Sequence, residues 1–175
     1  PVLKSASLCL CLLAWASFPA FAYDLTLHDV PIQVYFSPRG HAQDALIETI
    51  GQARLSIYVQ AYSFTSAPIA KALVDAAKRG VKVEAVLDKS QRKATYTGAT
   101  FLKNEGIPVY IDAAHAIAHN KVMVIDKSIT VTGSFNFTKA AEERNAENLL
   151  IINDHGLARL YLEEWERHQV HSDVF

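Results

Sequence analysis

The chain has 175 residues, half of them hydrophobic and a fifth charged, a balance that fits one compact domain and leaves room for one core. Its formal charge of −1 supplies no global basic field, so a polyanion would have to be held by a local patch. Both cysteines, Cys9 and Cys11, fall in the N-terminal apolar stretch, which excludes cysteine nucleophiles, thiolate zinc sites and iron–sulfur ligation from the remainder of the chain.

In chain order, Lys4 precedes an apolar run over 8–15 and then Ala20-Phe21-Ala22, so residues 1–22 read as a secretory signal with an A-x-A cleavage site before Tyr23. The run is shorter than the roughly 20 residues of a membrane span. The expectation is a secreted protein, periplasmic if the host is Gram-negative, with no stable membrane anchor after cleavage. Residues 23–175 are expected to form a single catalytic domain.

The run 32–36 is short and β-rich, and after the Pro38-Arg39-Gly40 break Ala42, Leu46, Ile50 and Ala53 recur at helical spacing. A second strand is predicted over 55–64, rich in Ile, Val, Tyr and Phe. Ser66 is then a plausible N-cap for a helix with the stripe Ile69, Leu73 and Ala77 that stops at Gly80. The pattern repeats with a strand over 81–87, a partly helical segment over 90–104, and a short strand over 109–111 introduced by Gly106-Ile107-Pro108. After Asp112 three strands follow closely, over 121–125, 129–132 and 149–152, two of them as a hairpin. Asp154 opens a closing helix that carries Leu157, Leu160, Tyr161 and Trp165. The fold class expected is α/β, an α/β sandwich with a mixed β-sheet flanked by helices.

The segment with most chemistry reads His119-Asn120-Lys121, then Asp126, then Gly133-Ser134-Phe135-Asn136, that is H-x-K-x4-D-x6-G-S-x-N. Residues two apart on a strand share a face, so His119 and Lys121 can converge on one phosphate. Asp126 has the opposite parity and is expected to anchor structure. A turn at Gly133 could return the Ser134 hydroxyl, the Asn136 amide and backbone N–H groups to the same oxygens. A rival constellation, a metal held by His115, His119 and Asp112 or Asp126, is disfavoured because His115 and His119 are four apart in loop and strand, and Lys121 already supplies positive charge. No metal and no cofactor are expected.

The pattern resembles the HKD signature of the phospholipase D superfamily, with all six defining residues present. The resemblance covers nearly the whole chain after residue 22 and is nearest to the small, single-motif Nuc-type endonucleases. It includes Ala61-Tyr62-Ser63-Phe64-Thr65, the run from Gly133 through Glu142, Glu147-Asn148 and Trp165. It implies a phospholipase D-like fold and metal-independent phosphodiester cleavage. It also implies that His119 is the nucleophile forming a phosphohistidine, and that a second His119 from a partner subunit protonates the leaving oxygen. Lys121, Ser134 and Asn136 would hold the non-bridging oxygens, and Glu147 would orient the histidine, although Glu147 equally reads as a polar residue opening a strand. One chain then supplies half a site, so a homodimer is expected.

For substrate, Lys89, Arg92 and Lys93 with Tyr96 form a candidate patch that could contact phosphates and stack on a base, with Lys139 and Arg144 as extensions. The same segment reads equally well as a solvated helix face. The expected substrate is nucleic acid, DNA and in the second place RNA, without sequence preference. The alternative is a lipid phosphodiester on the same fold.

Overall fold

The computed structural model of the chain describes residues 22–92 and 97–175. The secretory-signal reading, apart from Ala22, lies outside the described residues, as do Lys93 and Tyr96.

The elements are β1 (Ile32–Ser37), α1 (Ala42–Gln52), β2 (Ser56–Ala61), α2 (Ala67–Lys78), β3 (Lys82–Asp88), a 3-10 turn (Lys89–Arg92), α3 (Gly98–Asn104), β4 (Val109–Asp112), β5 (Lys121–Ile125), β6 (Ile129–Gly133), α4 (Lys139–Glu143), β7 (Glu147–Asn153), α5 (His155–Val170) and β8 (Asp173–Val174). The capping signals act where their chemistry places them: Asp154 accepts from the Leu157 N–H at 2.7 Å and Ser66 from the Ile69 N–H at 3.4 Å. The segment 90–104 divides into the 3-10 turn and α3, and α4 and β8 were not anticipated. Both are too short to show a period.

All strands join one mixed sheet in the order β1-β7-β6-β5-β2-β3-β4-β8. β2, β3 and β4 run parallel through helical crossovers, and the other pairings are antiparallel. The strands β5 and β6 form the expected hairpin. Its two-residue turn, Asp126-Lys127, has φ of 51° and 56°, the double positive φ of a type I′ turn, with Ser128 N–H bonded to Ile125 C=O.

Helices α1, α2 and α3 cover one face, where Leu46, Ile50, Ile69, Leu73 and Leu102 pack on Ile57, Val59, Leu87, Ile111 and Met123. The other face is covered by α5, through Ala158 and Trp165 against Tyr58, Val86, Val122 and Val124. The Trp165 indole N–H reaches the Val59 carbonyl at 2.8 Å, which satisfies the polar edge of a buried ring. That cover is incomplete. The register Ile32–Ile152–Thr130–Val124–Tyr58 places Ile32 on the α5 face, with Val34 and Phe36 after it. Yet α5 packs over β2 to β6, and Ile32, Val34 and Phe36 remain 45%, 50% and 68% exposed.

Candidate functional site

The C-terminal ends of β1, β2, β3, β4 and β6 and the starts of β5 and β7 share one rim of the sheet, as the pairs Ala61–Lys121, Asp88–Asp112, Ser37–Glu147 and Gly133–Leu149 require. The chain reaches β5 under two restraints. The Asp88 carboxylate accepts the Ala118 N–H at 2.8 Å, and the Tyr62 N–H donates to the Asn120 carbonyl at 2.9 Å. His119 is held between them with its ring against Tyr62, centroids 4.6 Å apart. Lys121 bends back so that its ammonium donates to the His119 carbonyl at 2.7 Å and lies 5.3 Å from the Tyr62 ring centre. Lys121 is buried, 7% exposed. Burial pushes its pKa below the usual lysine value, and the Glu147 carboxylate works in the opposite direction.

Across the hairpin, Gly133 has φ of +147°, and a Cβ there would lie 2.2 Å from the Asn148 carbonyl oxygen. Only glycine fits this close approach, which lets both the Ser134 and Phe135 N–H groups bond the Asn148 carbonyl. The Ser134 hydroxyl oxygen accepts from the Asn148 backbone N–H at 3.0 Å, leaving its own O–H to donate elsewhere. Asn136 Oδ1 is buried without a hydrogen-bond partner among the described residues. His119, Lys121, Gly133, Ser134, Asn136 and Glu147 together line one open cavity of about 430 Å³, with no apolar side chain in its wall. A lysine ammonium, a hydroxyl and an amide converging beside an imidazole make a cradle for a tetrahedral anion with a nucleophile at hand.

Glu147 lines this cavity, but its carboxylate accepts from Asn145 Nδ2 at 3.0 Å, and among the described residues no hydrogen bond joins it to His119. Asp126 lies at the far end of β5, where its carboxylate accepts the backbone N–H groups of Arg54, Leu55 and Ser56 at 2.7–3.2 Å. The substrate-patch residues stand on the rim with partners of their own. Lys89 donates to the His115 carbonyl at 2.9 Å, Arg92 pairs with Asp173 at 2.8 Å and Lys139 with Glu143 at 3.5 Å. Arg144 is exposed between α4 and β7.

Three features escaped the sequence. Tyr62 stood within a quoted stretch but carries no motif spacing, and Asp88 meets Ala118 across 30 residues. The third is a set of imidazoles at the end of β4. His115 Nδ1, His168 Nδ1 and His171 Nε2 lie 2.9, 2.7 and 3.3 Å from Asp112 Oδ2. Burial works to raise the Asp112 carboxyl, but the bonds to His168, His115 and His171 outweigh it and hold it well below the usual carboxylate range. From the sequence, Asp112 and His115 figure only in a disfavoured grouping with His119, whereas the fold joins them to the end of the last helix.

The sequence matches the family described as cardiolipin synthase, PLD-like domain, over residues 46–169. A phospholipase D of Rickettsia conorii is 45% identical over 134 residues, covering 77% of this chain and 67% of that protein. Among solved structures, a phospholipase D family member, Nuc from Salmonella typhimurium, superposes with a TM-score of 0.79 at 39% identity, covering 84% of this chain and 99% of Nuc. NucT from Helicobacter pylori superposes at 0.77 with 27% identity, covering 84% of this chain and all of that one, 100%.

Proposed function

This chain belongs to the phospholipase D superfamily and is a phosphodiesterase of that superfamily, and on this premise we propose that it is a sequence-nonspecific endonuclease whose active site is shared across a homodimer. The observation that carries the reading is the cavity wall. His119, Lys121, Ser134, Asn136 and Glu147 fit a phosphate, and the lining of the cavity itself includes no apolar side chain. The likeness to Nuc along 99% of its length supports the same choice.

In the proposed reaction His119 attacks phosphorus, a P–N bond forms, and the P–O bond to the leaving strand breaks as the partner's His119 gives that oxygen a proton. Water then attacks the phosphohistidine with the second imidazole as base, restoring both rings. Lys121, the Ser134 O–H and the Asn136 amide stabilise the charge on the non-bridging oxygens, so no divalent ion is required. One cavity holds one His119, which is half of this chemistry. The uncovered stripe Ile32, Val34 and Phe36 offers a second copy an apolar surface beginning beside Glu147, since Ser37 pairs with Glu147 and Phe36 with Asn148. Export through a signal cleaved before Tyr23 belongs to the same proposal, and N-terminal sequencing of the protein in the periplasmic fraction tests it.

A second reading, a lipid phosphodiesterase, is favoured by the name of the R. conorii relative. One experiment separates the two: plasmid DNA, RNA and phospholipid vesicles offered side by side, with and without EDTA. DNA cleavage that persists in chelator is the expected result. Headgroup release without nicking would establish the lipid reading, and activity lost on chelation and restored by one divalent ion would end the metal-independent mechanism.

A further inference from the structure

The phosphate cavity does not use the group of ligating side chains gathered at the end of β4. We propose that Asp112, His115, His168 and His171 form a structural site for one divalent cation of the Zn²⁺ class, distinct from the phosphate cavity and sharing no residue with it.

The geometry is that of a closed four-ligand set. One atom from each side chain can be chosen so that all lie within 4.8 Å of one another, and the three rings stand 4.8–5.3 Å apart between centroids. Asp112 is fully buried, and its other oxygen, Oδ1, is fixed by the Ala114 and His115 N–H groups at 3.0 and 3.3 Å, so Oδ2 is aimed at the imidazoles. His168 is buried as well, and its outer nitrogen lies 3.3 Å from the Glu164 carboxylate. That contact is the kind that fixes the tautomer and ring plane of a metal-bound histidine.

Simple hydrogen bonding accounts poorly for the arrangement. Three imidazole N–H groups would crowd one carboxylate oxygen, and charging more than one ring would set like charges about 5 Å apart. A single cation lets all three rings bind neutral, each through a lone pair, and balances the carboxylate. Three nitrogens and one oxygen without thiolates suit Zn²⁺, and four protein ligands leave no open position for chemistry. The site would tie the end of β4 and the approach to His119 to the C-terminal end of α5.

The test uses the protein from Tyr23 onward, stripped with chelator, dialysed and titrated with Zn²⁺ in a calorimeter and with Co²⁺ by visible absorption. One equivalent should bind saturably, Co²⁺ should show the intense bands of four-coordination, and the melting temperature should rise with Zn²⁺. His115→Ala and His171→Gln, both near the surface, should weaken binding by about 100-fold or more. His155→Ala, at the N-terminal end of α5, should bind as the parent does. Absence of saturable binding in the parent, or unaltered binding in both ligand variants, would overturn the proposal. Because binding is read without substrate, this outcome is separate from any result on cleavage in EDTA.

Discussion

The two ends of β5 carry residues of the same signature, and they are built in opposite ways. At the Asp126 end the aspartate's polar groups are spent inside the chain: the carboxylate takes three backbone N–H groups, and the Asp126 N–H bonds the Ser56 carbonyl. At the Lys121 end the polar groups are left over. The ammonium is buried with one carbonyl oxygen as its hydrogen-bond partner and the Ser134 proton is uncommitted, and both are donors that a phosphate oxygen can accept from. Satisfied polar groups hold a fold together, whereas costly unsatisfied ones persist where a ligand completes them.

The largest effect expected is at His119. His119→Ala should lower turnover by about 10⁴-fold or more while leaving the melting temperature within about 2 °C. In mixed dimers with the parent chain, activity near zero rather than one half is expected, measured on purified heterodimers. Half activity would return the acid to the same chain and break the shared-site account.

Lys121→Met tests whether the functional end is maintained at the expense of stability. Activity should fall by about 10³-fold, yet the variant should be more stable by about 1 kcal/mol in urea titration, since a buried charge is replaced by an apolar chain of similar length. The sign follows from the depressed lysine pKa. Between the folded value and the unfolded 10.5, the unfolded chain binds more protons, so the native penalty is present at neutral pH and is relieved as pH rises through that window. Parent and variant stabilities should therefore converge at alkaline pH.

Asp126→Ala sharpens the contrast from the other end. Three N–H groups lose their acceptor, and a loss of about 2 kcal/mol is expected in the same titration, with kcat/KM unchanged below the melting transition. A catalytic defect in well-folded protein would show that the two ends are coupled. The smallest effect belongs to Glu147→Gln. Its charge opposes the fall in the Lys121 pKa, so its removal should shift the alkaline limb of the kcat/KM profile to lower pH and slow turnover several-fold. An unmoved limb would leave Glu147 with the Asn145 contact and no electrostatic part.

What could be read from the sequence follows the range of the interactions. The strands from β2 to β7 announce themselves because each is a run of β-branched and aromatic residues bounded by turn signals, and the caps at Ser66 and Asp154 act within three residues. The phosphate cavity was legible because its six lining residues fall between His119 and Glu147, on or beside three consecutive strands. The parts of Tyr62 and Asp88 were not, since Tyr62 meets His119 from the end of β2 and Asp88 holds Ala118 from the end of β3. His168 and His171 carry no signal of a link to Asp112, because the contact forms only when the end of α5 is laid over a residue 56 positions earlier in the chain than His168. The exposed stripe on β1 reads as an ordinary strand and stands out only once α5 is seen to stop short of it.

The meander of β5, β6 and β7 has a consequence for how activity is acquired. Neighbours in sequence are neighbours in the sheet, so these pairings close short loops at small entropic cost and lower the contact order of the region, whereas the parallel β2-β3-β4 layer must wait for its crossover helices. In the shared-site dimer proposed above, each chain would then meet its partner with its half of the cavity already formed. The lag before cleavage after dilution from denaturant should then shorten as protein concentration rises, because encounter between two finished surfaces, rather than the folding of either, sets the pace.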